Sequence, residues 1–387
     1  MSSDKPVGAD GGTVATDTDA GTGATDTDGV DTAAGRCTGR FRGRVEAVAG
    51  GLFGLLTAVM VLFLLAEWLR GSIGGMSILY DQYLIVGQWL DFWFGTIVFS
   101  FGSTWRALAA GLLIGFVAPI LGTFLIHQQM ALIGETLAHT AFAGVAAGVV
   151  VVAFTGWAGS LVFVDLGSQG GLLFVALVVS ALGALGLQWL SQHSDSYGDV
   201  PIAIVLSGSF AMGTLLISWS RDFAPISIDI EGFLFGSLAI VTTQGARLIA
   251  LISVLVAVIV VVHFKQFVFI TFDEEAARVA GLPVTRYTTL LVVMTAVVVV
   301  GAMQILGVIL VAAMLVVPAA AASQIGVSFR ETVVLAIIFG QISAFIGLVF
   351  SVVASLPPGG SIVMIAIGIY VLAIVVSNRS VPTISMH

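Results

Sequence analysis

The chain has 387 residues, of which 58% are hydrophobic and 9% charged, with mean hydropathy +1.10 and a formal net charge of −8. A soluble domain needs about 25% charged residues to cover its surface, so this is a polytopic membrane protein and counting soluble domains by length does not apply. No basic nucleic-acid footprint is present, and the single cysteine, Cys37, makes neither an internal disulfide nor a thiolate cage.

Residues 1–44 are rich in Gly, Asp, Thr and Ala and repeat ATDTD. Such a segment buries too little apolar area to offset ordering, which predicts a disordered acidic tail. Its DTDGVD run has incomplete calcium-loop spacing and no closing Glu. The tail is too long and acidic for a secretory signal.

Arg36, Arg40, Arg42 and Arg44 precede the first apolar run, Val45 to Leu69. Further spans are predicted at about 105–126, 135–156, 171–190, 201–219, 246–264, 332–354 and 361–377, most near the ~20 residues a crossing helix needs. The uncharged stretch 287–323 is too long for one crossing and is split into two spans turning near Gln304. The predicted fold is therefore all-α with about ten transmembrane helices, a membrane domain over 45–378. Segment 84–104, with Asp91 among Trp89, Phe92, Trp93 and Phe94, reads as an interfacial helix. Gly232 to Thr243 reads as a short re-entrant helix.

With the N-terminus inside, ten of fourteen Lys and Arg fall on the cytoplasmic side, and only Arg70, Arg106, Arg221 and Arg247 fall outside. The positive-inside rule thus predicts a multi-pass plasma-membrane protein with both termini cytoplasmic. One long hydrophilic loop then lies inside, Lys265 to Arg286. Its EEAARVAG core favours a short helix ended by Gly281 and Pro283. Two readings stand for it: a helix lying on the membrane surface, or a docking knob for a soluble partner.

The segment Gly134 to Gly148 reads GETLAHTAFAGVAAG. Glu135 and His139 are four residues apart, so a helix puts both on one face, close enough to grip one divalent cation. Ionisable groups facing lipid cost roughly 2.5–3.5 kcal/mol each, so such a pair is expected to line a pathway. Mixed carboxylate and imidazole donors suit Zn²⁺ or Mn²⁺. Gly144 and Gly148 form a G-x-x-x-G step for close helix packing. His127 and His263 are expected at the cytoplasmic boundary and His193, near Asp195 and Asp199, in a solvated loop. Asp222, Asp229 and Glu231 lie outside, where Asp229 and Glu231 are candidates for receiving a metal; ordinary loop solvation is the alternative.

An energy source is missing. The only lysines are Lys5, followed by Pro6, and Lys265, followed by Gln266, which excludes a G-x-x-x-x-G-K-[ST] phosphate loop. H-E-x-x-H is absent too, so no catalysis and no permanently bound cofactor are expected on this chain. Transport must be driven by an ion gradient or by a separate ATPase. Pro119 and Pro318, inside apolar runs, are either functional helix breaks or benign kinks.

The segment GETLAHTAFAGVAAG resembles the Gly-acid-x-x-x-His signature of permeases in the zinc/manganese/iron ABC transporter family. The likeness runs on in family order through IAIVLSGSFAMGTLLIS (Ile202 to Ser218), FLFGSLAIV (Phe233 to Val241) and FDEEAARVAGLPV (Phe272 to Val284). It ends with ILGVILVAAMLVVPAAAA (Ile305 to Ala322) and LPPGGSIVM (Leu356 to Met364), covering about 105–377. The resemblance implies a fold similar to the cobalamin and siderophore importers, two copies around a central path and two cytoplasmic ATPase subunits. It also implies an extracellular metal-binding protein. It makes FDEEAARVAGLPV the coupling helix, with Asp273, Glu274, Glu275, Ala276, Ala277 and Gly281 at or near the ATPase groove. The family's acid is commonly Asp where this chain has Glu135, which moves the carboxylate outward by a methylene. The expected function is inward transport of zinc or manganese by alternating access. A siderophore or cobalamin permease, a gradient-driven secondary transporter using inverted repeats and a non-transport scaffold are the alternatives.

Overall fold

The computed structural model describes residues 50–70, 74–155, 160–161, 164–165, 169–193, 200–220, 234–236 and 242–377. These all fall in one compact unit, Glu46–His387. In chain order the helices are α1 (Gly50–Leu69), α2 (Gly74–Phe94), α3 (Gly102–His127), α4 (Ile133–Thr155), α5 (Gln169–His193) and α6 (Val200–Ser220). They continue with α7 (Thr243–Phe272), α8 (Glu274–Val279), α9 (Val284–Leu306), α10 (Val308–Ile325), α11 (Phe329–Ala354) and α12 (Pro358–Val376). A two-stranded antiparallel ladder, β1 (Ser160–Leu161) with β2 (Val164–Asp165), lies between α4 and α5. Among the described residues eight helices are long and apolar enough to cross a membrane, and Phe174–Leu187 and Val311–Ile325 are shorter apolar stretches.

Helices in lipid gain little from hydrophobic transfer, so they associate by van der Waals packing where small residues let backbones meet. Helix α3 shows this best. It packs on α7, α9, α10 and α11, and 89% of its apolar window is buried. A Cβ on Gly115 would meet the Gly340 carbonyl, and one on Gly340 would meet the Gly115 carbonyl and the Pro119 ring. At Gly122 a Cβ would strike the Leu315 backbone. Aromatic rings lock the far end of α3: Phe124 contacts Phe264, Phe267 and Phe329 at centroid distances of 6.0, 5.7 and 5.1 Å.

Polar side chains near helix ends are committed locally. Ser328 accepts from Glu331 N–H, and the Glu331 carboxylate accepts from Val327 N–H, which secures the start of α11 in the manner of a capping box. Thr242 caps α7 by accepting from Gly245 N–H. Pro119 and Pro318 both sit inside continuous helices, so neither ends one.

The long apolar stretch does divide in two, with its break at Gly307 rather than near Gln304. Gly307 has φ +78°, and a Cβ there would fall on Leu234 O and Gly236 N. Only glycine tolerates both that backbone angle and such a close neighbour. Helix α2 starts at Gly74, ten residues before the expected interfacial segment, and ends at Phe94, while Gly102 onward belongs to α3. It is not among the eight span-like helices. Helix α7 runs on through KQFVFITF to Phe272, since nothing before Asp273 interrupts the apolar helical run. The tail, Cys37, Asp195, Asp199, Asp222, Asp229, Glu231 and most of Gly232 to Thr243 lie outside the described residues.

Candidate metal-handling site

Helix α4 is gripped by α5, α6, α9 and α10, and glycines set the fit. A Cβ on Gly134 would meet Leu315, one on Gly144 would meet Val179 and Ala176, and one on Gly213 of α6 would meet Phe142. From Ile133 to Val150 every position is buried except Glu135, His139 and Ala147. Those three recur at four- and eight-residue spacing, which keeps them on one stripe of the helix. The only open strip of this stretch of α4 is therefore the one that carries its acid and its imidazole.

The Glu135 side chain is 43% exposed and that of His139 12% exposed, with Oε1 and Nε2 4.0 Å apart. That separation exceeds hydrogen-bond range, so the two groups are close without saturating each other. His139 Nδ1 is buried and has no hydrogen-bond partner among the described residues. The ring stands edge-on to Phe210 of α6 at 4.9 Å, which fixes its plane. Glu135 sits in the first turn of α4, where the helix dipole favours a negative charge. Neighbouring hydroxyls are spent on the backbone: Thr136 donates to Leu132 O, and Thr140 and Ser180 both donate to Leu137 O. No group of three or more His, Cys, Asp or Glu side chains comes together among the described residues. The pair thus offers one oxygen and one nitrogen donor, fewer than the four a closed zinc site uses.

Beside this strip α6 exposes Ala203, Ser207, Ala211, Thr214 and Ser218, small residues at three- and four-residue spacing. The serine and threonine hydroxyls of α6 include Thr214, which donates back to Phe210 O and Ala211 O.

The other histidines differ. His127 Nδ1 lies 2.7 Å from Thr123 O, an acceptor only, so this nitrogen carries the proton. Its ring packs edge-on to Phe329 at 5.1 Å, half-buried rather than on a free surface. His263 packs against Tyr287 and Phe267, with Nδ1 buried and unpartnered but no carboxylate paired with it among the described residues. His193 ends α5.

The second predicted cluster forms a compact projection between α7 and α9. Asp273 caps α8 by accepting from Ala276 N–H at 2.8 Å, and Glu274 pairs with Arg278 one turn on. Gly281 at φ +81° closes the helix: its N–H donates to Arg278 O, and Leu282 N–H donates to Ala277 O. This double closure is a Schellman motif, and Leu282 packs against the small apolar cluster that holds Ala277. Ala277 is fully buried against Ile270 and Val284, whereas Glu274, Glu275 and Val279 are exposed, Val279 by 90%. A cavity of about 590 Å³ adjoins it, lined in part by Gln128, Gln129, Thr271, Glu274, Arg278 and Thr288. Gln128 bridges to Thr271 at 3.0 Å across this cavity's wall. Gln129, at φ +59°, makes the turn into α4 in a conformation that glycine usually supplies. Neither glutamine was expected from the sequence, which carries no turn signal there.

Comparison with known proteins adds identity to this geometry. The sequence profile described as the ABC 3 transport family matches residues 100–377. The manganese transport system membrane protein MntC of Listeria innocua is 31% identical over 276 residues, 71% of this chain and 90% of its own length. The protein of the same name from Halalkalibacterium halodurans is 30% identical over 291 residues, 75% of this chain and 92% of its own. Among solved structures, PsaBC from Streptococcus pneumoniae in complex with Fab superposes with a TM-score of 0.61 at 27% identity. It covers 72% of this chain and 93% of that one. The profile match begins after α1 and α2.

Proposed function

Because this chain belongs to the ABC 3 transport family, of metal ABC transporter permeases, we propose that it carries a divalent transition metal inward. Manganese is the first candidate, as the relatives' names suggest, and zinc the second. The observation that carries the site is the open strip of α4, on which Glu135 and His139 alone offer donors with no other commitment. Two donors from one copy underfill a metal site. Two copies facing across a two-fold axis would bring four, two oxygens and two nitrogens, a set that suits Mn²⁺ or Zn²⁺. The small-residue face of α6 supports that pairing, because it admits a second helix closely.

The metal is cargo, so its ligands must bind weakly enough to release it. A carboxylate at the helix start and an imidazole steadied by Phe210 supply charge and softness without enclosing the ion. Force would arrive from a separate cytoplasmic ATPase through the α8 projection. Its buried Ala277 and double C-terminal closure make it rigid enough to transmit a push, and its exposed Glu274, Glu275 and Val279 form the contact face. In this orientation both termini are cytoplasmic, and a metal-binding protein delivers cargo to the opposite face, near Asp229 and Glu231.

The experiment is metal uptake by liposomes holding the chain with its ATPase, run with Mn²⁺, Zn²⁺ and Fe²⁺ in turn. Uptake is expected to require ATP and to fall more than about 10-fold, as for loss of metal-binding groups, in Glu135→Ala and His139→Ala. Uptake that persists without ATP contradicts the ATPase reading. Uptake unchanged in the double variant contradicts the site.

A further inference from the structure

The N-terminal part of the described chain has a design of its own. Its helix α2 has three distinct faces. Tyr80, Gly87 and Asp91 are buried toward α1, α3 and the turn that follows α2. Phe63 of α1 stacks on Tyr80 at 5.6 Å and meets Tyr83 edge-on at 5.1 Å, while Tyr83 donates to Val59 O. A Cβ at Gly87 would strike the Phe99 carbonyl, which itself accepts from Trp105 Nε1. This packing fixes the rotation of α2 about its axis.

The opposite face is uncovered and apolar apart from Gln82. Ile78, Ile85, Trp89 and Phe92, spaced by seven, four and three residues, are 63%, 46%, 69% and 86% exposed, and Trp93 beside them is 75% exposed. Asp81 and Gln88, seven apart, form a narrow exposed polar edge on one side of this face. Helix α1, on which α2 packs, is of membrane-spanning length, and its Leu62, Leu65 and Trp68 are exposed as well. An amphipathic helix that is no span, packed against one of spanning length, has lipid within reach of its exposed face. Tryptophans collect where acyl chains meet headgroups, and here Trp89 and Trp93 on α2 and Trp68 on α1 are all exposed.

Asp91 explains how a carboxylate is tolerated at this depth. Both its oxygens are filled: Thr96 Oγ1 and Phe99 N–H donate to Oδ1, and Ser100 N–H and Oγ donate to Oδ2. The acid thereby organises the turn from Gly95 to Phe101, on which Ile97 (78%) and Phe101 (59%) are again exposed apolar groups.

We propose that α2 and the Asp91-clasped turn form an in-plane membrane anchor, lying at the acyl–headgroup boundary of the leaflet where α3 begins, with lipid as the occupant of its aromatic face. It would hold the first turn of α3, and with it Arg106 and its partners Glu67 and Thr243, at a fixed depth in the bilayer. The proposal rests on the membrane architecture and stands apart from which metal is carried.

The test is nitroxide depth measurement on the full chain in phosphatidylcholine–phosphatidylglycerol liposomes. Cys37→Ser supplies a cysteine-free background, and single labels follow Asp81→Cys, Ile85→Cys, Gln88→Cys, Trp89→Cys and Phe92→Cys. These positions are exposed, and size-exclusion profiles check that each variant stays folded. Labels at 85, 89 and 92 are expected to favour collisions with oxygen over a water-soluble nickel chelate, at about 5–10 Å below the headgroups. Labels at 81 and 88 should show the reverse preference. Nickel access at all five positions overturns the proposal, as does a depth near the bilayer centre. Shielding at 85, 89 and 92 that appears only when the extracellular binding protein is added would make the face a protein-docking surface, and also overturns it.

Discussion

Helices α3 and α4 each bury 89% of their apolar window, yet they use that burial differently. In α3 the glycines bring other backbones into contact, and most polar atoms find partners: Thr123 donates to Pro119 O, and His127 to Thr123 O. In α4 the same kind of close packing stops at one strip, and that strip holds Glu135 and His139 with an unpartnered Nδ1. An imidazole in a membrane helix is structural when its nitrogens and ring faces are spent, and available when they are not. The difference lies in neighbours rather than in residue type.

The sharpest way to break this contrast is to exchange the consequences. His139→Ala should cost more than about 10-fold in metal uptake, as for loss of metal-binding groups, while lowering stability only by its edge-on contact with Phe210, about 0.5–1.5 kcal/mol. His127→Ala should shift the balance toward stability. It removes a hydrogen bond and an edge-on ring contact with Phe329, worth together about 1–3 kcal/mol of stability, with uptake altered less than in the His139 variant. Equal effects on both readouts would erase the distinction.

Gly340→Ala probes the closed side of the comparison. Its new methyl would press on the Gly115 carbonyl and the Pro119 ring, an overpacking expected to destabilise by about 1–3 kcal/mol. Gly186→Ala on α5 meets nothing within 4 Å and is expected to be neutral or stabilising by up to about 1 kcal/mol. Thermal unfolding of the two variants in one detergent gives the comparison directly.

The smallest effect concerns Asp91, outside the spanning helices. Burial pushes its pKa up, but hydrogen bonds from Ser100, Phe99 and Thr96 outweigh this and hold it below the usual carboxylate value. A depressed pKa in the folded state contributes stability that is full above the unfolded value, near pH 4, and drains as pH falls through the folded one. Unfolding temperatures should therefore drop more steeply below about pH 4 in the native chain than in Asp91→Asn. Parallel curves would contradict the clasp.

Much of this was readable from the residues. Hydropathy located the spans, and Gly281 with Pro283 announced the end of α8, because a left-handed turn needs glycine. The four-residue spacing put Glu135 and His139 on one face, and Gly144 marked a close approach that α5 makes. What the sequence concealed depends on contacts between distant segments. The break falls at Gly307 because Leu234 and Gly236 press there, not at the polar Gln304. The turn at Gln129 uses a residue with no turn preference. The S-x-x-E spacing of Ser328 and Glu331 is itself a legible capping signature. Whether the Glu135 strip is open was beyond reach, since that follows from where α5, α6 and α10 stop covering α4.

The most direct measurement is pulsed electron paramagnetic resonance of Mn²⁺ bound to the assembled transporter. The proposed site predicts modulation from a nitrogen nucleus coordinated to the metal, lost in His139→Ala while the variant remains assembled. Nitrogen modulation that survives in His139→Ala would contradict it, and so would bound Mn²⁺ with only oxygen neighbours in the native chain.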